Sequence, residues 1–151
     1  MSTLPVAAEQ SYIRAMSDNR ETVIGLYEAF GRGDLDGVVA VVADDVDWGL
    51  EPGHPALEVA PWLANVGTKN ELSGYFGGLG EAAEFHDFHP IAIGTDGDHV
   101  MSLVHEDFTV RATGKHVVTT AAHHFTFGAD GRIARYRPIV DSTWEAGFRN
   151  G

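Results

Sequence analysis

The chain has 151 residues, 44% of them hydrophobic, which suits one domain with a buried core and no membrane-spanning segment. Its formal net charge is -12, from 10 basic and 22 acidic residues. That argues against nucleic acid or an anionic membrane as partner, because neutralising phosphates needs a basic face. There is no cysteine, which excludes disulfides, thiolate metal sites and a Cys nucleophile and fits a cytoplasmic location.

Residues 1–17 read as an N-terminal extension with a short helix over 7–16 and none of the marks of a signal peptide. A single domain over 18–151 follows. Asp18 and Glu21 form a capping box for a helix over 19–31, with Val23, Leu26, Tyr27 and Phe30 on its apolar face. Gly31 and Gly33 stop it, and Asp34 caps a second helix over 34–43 that buries Val38, Val39, Val41 and Val42. Asp44 and Asp45 end that helix, and Val46 and Trp48 begin a strand. Residues 49–66, rich in Gly, Pro and Ala and carrying His54 and Trp62, read as the rim of a pocket or as an ordinary surface loop. Thr68 and Glu71 then open a third helix with Leu72, Tyr75, Phe76 and Leu79 as its buried stripe.

Beyond Gly80 the period changes to two. Strands are predicted over 85–93, 100–111, 116–127 and 133–140, joined by Gly-containing turns. Asp141 or Ser142 caps a short C-terminal helix. Helices first and an antiparallel meander after give an α+β order.

Alternation along the strands selects the candidate chemistry. One face of 100–110 holds Val100, Ser102, Val104, Glu106, Phe108 and Val110. Glu106 is then a carboxyl in apolar surroundings, where desolvation raises its pKa toward values useful for proton transfer. The opposite register would turn His105 or Asp107 inward instead. On the returning strand Val117, Thr119, Ala121, His123 and Phe125 share a face. A hairpin closing at Thr113-Gly114 pairs Glu106 near Ala121 and sets His123 diagonally beside it, as an acid/base couple or as a buried structural histidine. Tyr136 on the last strand is an oxyanion donor or an aromatic of a cavity wall. His86 and His89, three apart, do not share a strand face, and no metal site is expected.

The segment YEAFGRGDLDGVVAVVADDVDW from Tyr27 resembles the opening of the SnoaL-like and ketosteroid-isomerase-like families of the NTF2-like superfamily. GTKNELSGYF from Gly67, HHFTFGADGRI from His123 and RYRPIVD from Arg135 extend the resemblance over about residues 20–145. It implies a cone of three N-terminal helices packed on a curved antiparallel sheet around a small-molecule pocket, and a homodimer formed through the sheet's outer face. The isomerases' base Asp falls on Leu50, their oxyanion Tyr on Leu26 beside Tyr27, and their oxyanion Asp on His123. The Arg and Asp of limonene-epoxide-hydrolase-like enzymes fall on Val104 and Glu106, and their last-strand Asp on Pro138. SnoaL-type cyclases share a His near His123, while their last-strand Asp lands at Arg137 or Pro138. The resulting expectation is cofactor-independent acid/base chemistry, of cyclase or isomerase type, on a hydrophobic carbonyl compound. Glu106, His123 and Tyr136 would be catalytic, and Tyr27, Trp48, Leu50, Trp62 and Phe108 would bind substrate. The alternatives are a dehydratase or epoxide-hydrolase-like enzyme, or a binding protein without chemistry.

Overall fold

The computed structural model describes residues 6–150, apart from the side chain of Ser17. The first helix, α1 (Val6–Gly31), is a single element of 26 residues. The sequence suggested a break at Asp18, but 6–30 contains no Pro and only one internal Gly, and the Asp18 carbonyl accepts a bond from Thr22 Oγ1 within the helix instead of starting one. The expected short helix over 7–16 is therefore the first half of α1. Its later turns bury Val23, Leu26, Tyr27 and Ala29. Gly33, at φ 73°, reverses the chain. Asp34 caps α2 (Leu35–Val39) by accepting from Gly37 N at 3.0 Å.

The second helix ends earlier than 43. Val41 and Val42 belong to a β-branched stretch that favours extended chain, and Val42 opens β1 (Val42–Trp48). Asp44 and Asp45 accordingly lie exposed on a strand, where Asp44 meets Lys69 at 3.2 Å. Gly49 follows at φ 125°, and a Cβ there would come within 2.7 Å of the Leu63 carbonyl, so only glycine lets the 49–66 loop fold back against β1. Thr68 stands before a turn of 3-10 helix, its hydroxyl on the Glu71 carboxylate at 2.9 Å, and α3 (Leu72–Ala82) continues from it.

The remaining strands are β2 (Ala83–Asp96), β3 (His99–Val110), β4 (His116–Phe127) and β5 (Ile133–Ile139). The sheet is curved and unclosed, in the order β1-β5-β4-β3-β2. The meander β2 to β5 is antiparallel, but β1 pairs with β5 in parallel, so the sheet is mixed and not wholly antiparallel. Arg137 ties that parallel edge by donating to the Asp47 carboxylate at 2.5 and 2.9 Å and to the Gly49 carbonyl at 3.1 Å. Pro90 is tolerated because β2 is an edge strand, with register shifts on either side of it. Burial along β3 alternates strictly, putting Val100, Ser102, Val104, Glu106, Phe108 and Val110 on the covered face. Asp141 caps α4 (Ser142–Phe148), accepting from Trp144 N at 2.9 Å. The opposite face of the sheet has no helix over it among the described residues and leaves Met101, Leu103, Val118 and Ile139 about half exposed.

Candidate active site

The concave face of the sheet and helices α1, α3 and α4 line a cavity of about 70 Å³ with an open mouth. Its wall is largely aromatic and carries no Lys or Arg. Glu106, His123 and three tyrosines supply most of its polar groups.

Glu106 is 5% exposed, placed there by the β3 alternation. Its Oε2 is sealed and has no hydrogen-bond partner among the described residues, and the residue lines the cavity. Burial, helped by the charge of Asp141, raises this carboxyl from 4.5 to about 7. Asp141 acts from the far side of Thr119, whose hydroxyl donates to it at 3.0 Å and which is paired directly with Glu106.

His123 also faces the cavity, from β4. The predicted couple with Glu106 does not form. Glu106 pairs with Thr119, and His123 pairs with Ser102. Glu106 and Ser102 are four residues apart on β3, so the backbone positions that carry the two side chains stand roughly 13 Å apart along the strand at ~3.3 Å per residue. The hairpin turns one residue earlier than expected, Val110 N bonding the Lys115 carbonyl, and every cross-strand pair moves by two. His123 instead meets Tyr27: the Tyr27 hydroxyl lies 2.7 Å from His123 Nδ1 and 2.5 Å from Ser102 Oγ. Burial lowers the His123 pKa from 6.5 to about 3, so the ring is neutral at physiological pH.

Tyr136 stacks on Trp48 at 4.1 Å between ring centroids, and both line the cavity. Tyr75 joins them from α3. Among the described residues the hydroxyls of Tyr75 and Tyr136 have no hydrogen-bond partner, neither is a sealed atom, and both residues line the cavity. Burial and the nearby Glu106 charge push both phenols upward, so they remain protonated donors.

Of the other residues predicted to touch substrate, Tyr27 and Trp48 are on the wall. Leu50, Trp62 and Phe108 are not. Leu50 is buried in the core at the start of the loop, Trp62 packs on Phe148 and on the wall residue Trp144, and Phe108 is fully buried against Phe85 and the α4 aromatics. Sequence reasoning missed Tyr75, which reads as one more member of the α3 apolar stripe, and Ser102, a small polar residue in an apolar alternation. That second anomaly was a usable signal. Among the described residues no three His, Asp or Glu side chains converge as a metal site requires.

No curated protein matches the chain. Among solved structures it resembles an NTF2-like protein of unknown function from Burkholderia pseudomallei, at 23% identity over 89% of this chain and all of that one, with a TM-score of 0.74. It also resembles TerC, co-crystallised with polyporic acid, at 17% identity over 87% of this chain and 97% of that one (TM-score 0.72). A third neighbour, a protein from Xanthomonas campestris assigned as a polyketide cyclase, shares 20% identity over 89% of this chain and 99% of that one (TM-score 0.67). At these identities the likenesses speak for the fold. Residues 23–136, three quarters of the chain, match the SnoaL-like domain, and the protein belongs to that family.

Proposed function

We propose that the protein is a cofactor-independent acid/base enzyme acting on an uncharged hydrophobic carbonyl compound, of the cyclase or isomerase kind. The observation that carries this is Glu106, a carboxyl poised near pH 7 on the wall of an aromatic cavity that offers it no cation. A structural carboxyl in that place costs stability and has no internal partner to justify it. In the reaction, the ionised Glu106 takes a proton from the carbon next to the substrate carbonyl through Oε1. The C–H electron pair moves into an enolate, whose oxygen accepts hydrogen bonds from the Tyr136 and Tyr75 hydroxyls. An isomerase returns the proton to another carbon. A cyclase lets the carbanion attack a second carbonyl and returns the proton to the new alkoxide. Glu106 ends as it began in both. The cavity's lack of positive charge and its aromatic wall favour neutral, flat substrates. The cyclase assignment of the Xanthomonas neighbour agrees with this reading.

The enzyme acts, on this reading, as a cytoplasmic homodimer joined through the outer face of the sheet, where the exposed Met101, Leu103, Val118 and Ile139 supply an apolar surface. No helix of the described residues is long and apolar enough to cross a membrane.

The test is turnover of neutral aromatic and polycyclic ketones as a function of pH. Because the base form is required, kcat/KM should rise through about pH 7. Glu106→Gln should lower kcat by about 10²–10⁴-fold. An unchanged kcat in that variant removes Glu106 from the mechanism.

A further inference from the structure

His123 holds one ring proton at neutral pH, and the groups around it decide where that proton sits. Tyr27 Oη contacts both Nδ1 and Ser102 Oγ. Two arrangements fit these contacts and give the Tyr27 proton an acceptor. In the first, Ser102 donates to Tyr27, Tyr27 donates to Nδ1, and the ring proton is on Nε2. In the second, Nδ1–H donates to Tyr27, Tyr27 donates to Ser102, and the Ser102 proton has no acceptor among the described residues.

Chemistry favours the first. Both hydroxyl protons then have acceptors, and the donor left without one among the described residues is Nε2–H, on a ring that lines the cavity. The phenol is a far stronger acid than a neutral imidazole N–H, and an imidazole nitrogen is a stronger base than a phenol oxygen, so the donor and the acceptor are well matched only in this direction. Burial, together with the Glu106 charge that reaches it, keeps the Tyr27 phenol protonated. His123 is stacked on Tyr27 and bordered by Phe88, Phe125 and Tyr136, and Glu106 stands four residues away along β3. Nε2 has no hydrogen-bond partner among the described residues and is not a sealed atom, and the ring lines the cavity.

We propose that Ser102 and Tyr27 are positioning residues that hold His123 in its Nε2–H form, so that the ring offers the cavity a neutral hydrogen-bond donor for the oxygen of an uncharged ligand. The inference rests on the cavity being the ligand site, but the place of the proton does not depend on turnover. It gives the cavity a second polar station, remote from Glu106, that accepts ligand carbonyl, ether or quinone oxygens. A ligand amine or hydroxyl proton finds no acceptor there. It also removes His123 as a base, since the nitrogen facing the ligand already carries its proton.

The experiment is long-range ¹⁵N–¹H correlation NMR of the histidine rings in the full-length protein at pH 7. His123→Gln identifies the His123 signals by their loss. The expected result is a protonated Nε2 and an unprotonated Nδ1 displaced by the bond it accepts. Tyr27→Phe should return Nδ1 to the position of an unbonded imidazole nitrogen, and Ser102→Ala should move it part of the way, because the two hydroxyls reinforce one another. A proton on Nδ1, a doubly protonated ring, or an Nδ1 signal unmoved in Tyr27→Phe overturns the proposal. Should Tyr27→Phe fail to fold, the wild-type tautomer and Ser102→Ala decide the matter. If Glu106→Gln leaves turnover intact while the ring shows Nε2–H, the acid/base reading fails and this one stands.

Discussion

Replacing Glu106 by Gln removes the carboxyl on the cavity wall, and its effect on stability follows from the raised pKa. The carboxyl titrates at 4.5 when unfolded and at about 7 when folded. Between these values the folded protein holds the proton more tightly than the unfolded chain, so stability falls as pH rises, by about 1.4 kcal/mol per pH unit. Over about 2.5 units this removes roughly 3 kcal/mol from the wild type by pH 7 and above. Gln keeps the shape and carries no charge at any pH. The stability of Glu106→Gln relative to wild type should therefore improve by about 3 kcal/mol between pH 4.5 and 8, whatever constant offset the amide introduces. His123 acts in the opposite sense. Its pKa is lowered to about 3, so its contribution is lost as pH falls below 6.5. The two slopes oppose each other between 4.5 and 6.5 in the wild type, and the informative quantity is the difference between variant and parent. Urea unfolding at pH 4.5, 6, 7 and 8, followed by tryptophan fluorescence, measures it. A difference that does not change with pH would refute the buried, unpartnered carboxyl and with it the basis of the proposed chemistry.

Tyr75→Phe and Tyr136→Phe each remove a hydroxyl that has no hydrogen-bond partner among the described residues. Each should leave thermal stability within about 1 kcal/mol of wild type while reducing kcat on a carbonyl substrate by about 10–100-fold. A Cβ on Gly147 would collide with the Val117 side chain, so Gly147→Ala should cost about 1–3 kcal/mol in urea titration, with α4 displaced from β4. Leu103→Lys together with Val118→Lys places charge on the outer sheet face. Sedimentation should then report a monomer where the wild type is a dimer, and a wild type that is already monomeric would dismiss that interface.

Much of the fold was legible because its determinants are local. The Gly31–Gly33 stop, the Asp34 and Asp141 caps and the alternation of β3 and β4 depend on neighbours in sequence, and the structure contains each of them. The errors lie where a local signal competed with another or was absent. Asp18 and Glu21 satisfy a capping pattern, yet the residues before them are as able to be helical as those after, and an exposed helix face tolerates both acids. Val38 to Val42 suit either a helix's buried side or a strand, and β-branching decided for the strand from Val42. The parallel pairing of β1 with β5 joins segments some ninety residues apart, for which no short-range pattern exists.

The site was legible for a related reason, and its limit is set by the same geometry. Alternation assigns a residue to a face, and that assignment survives any register change of two residues, because the side-chain period of a strand is two. Glu106 and His123 were thus correctly read as sharing the covered face although their pairing was not. A slip of one residue would have turned Glu106 to solvent, and the burial of Val100, Val104 and Phe108 forbids it. A slip of two keeps every apolar residue inside, and only the turn sets it. Starting the turn at Arg111 instead of Ala112 replaces a Glu106–Ala121 pair with Glu106–Thr119 and gives His123 to Ser102. That single step separates the expected couple into two polar groups, a buried carboxyl near Asp141 and a histidine bonded to Tyr27. The step changes the chemistry available to the cavity while leaving its hydrophobic pattern untouched, so periodicity alone was blind to it.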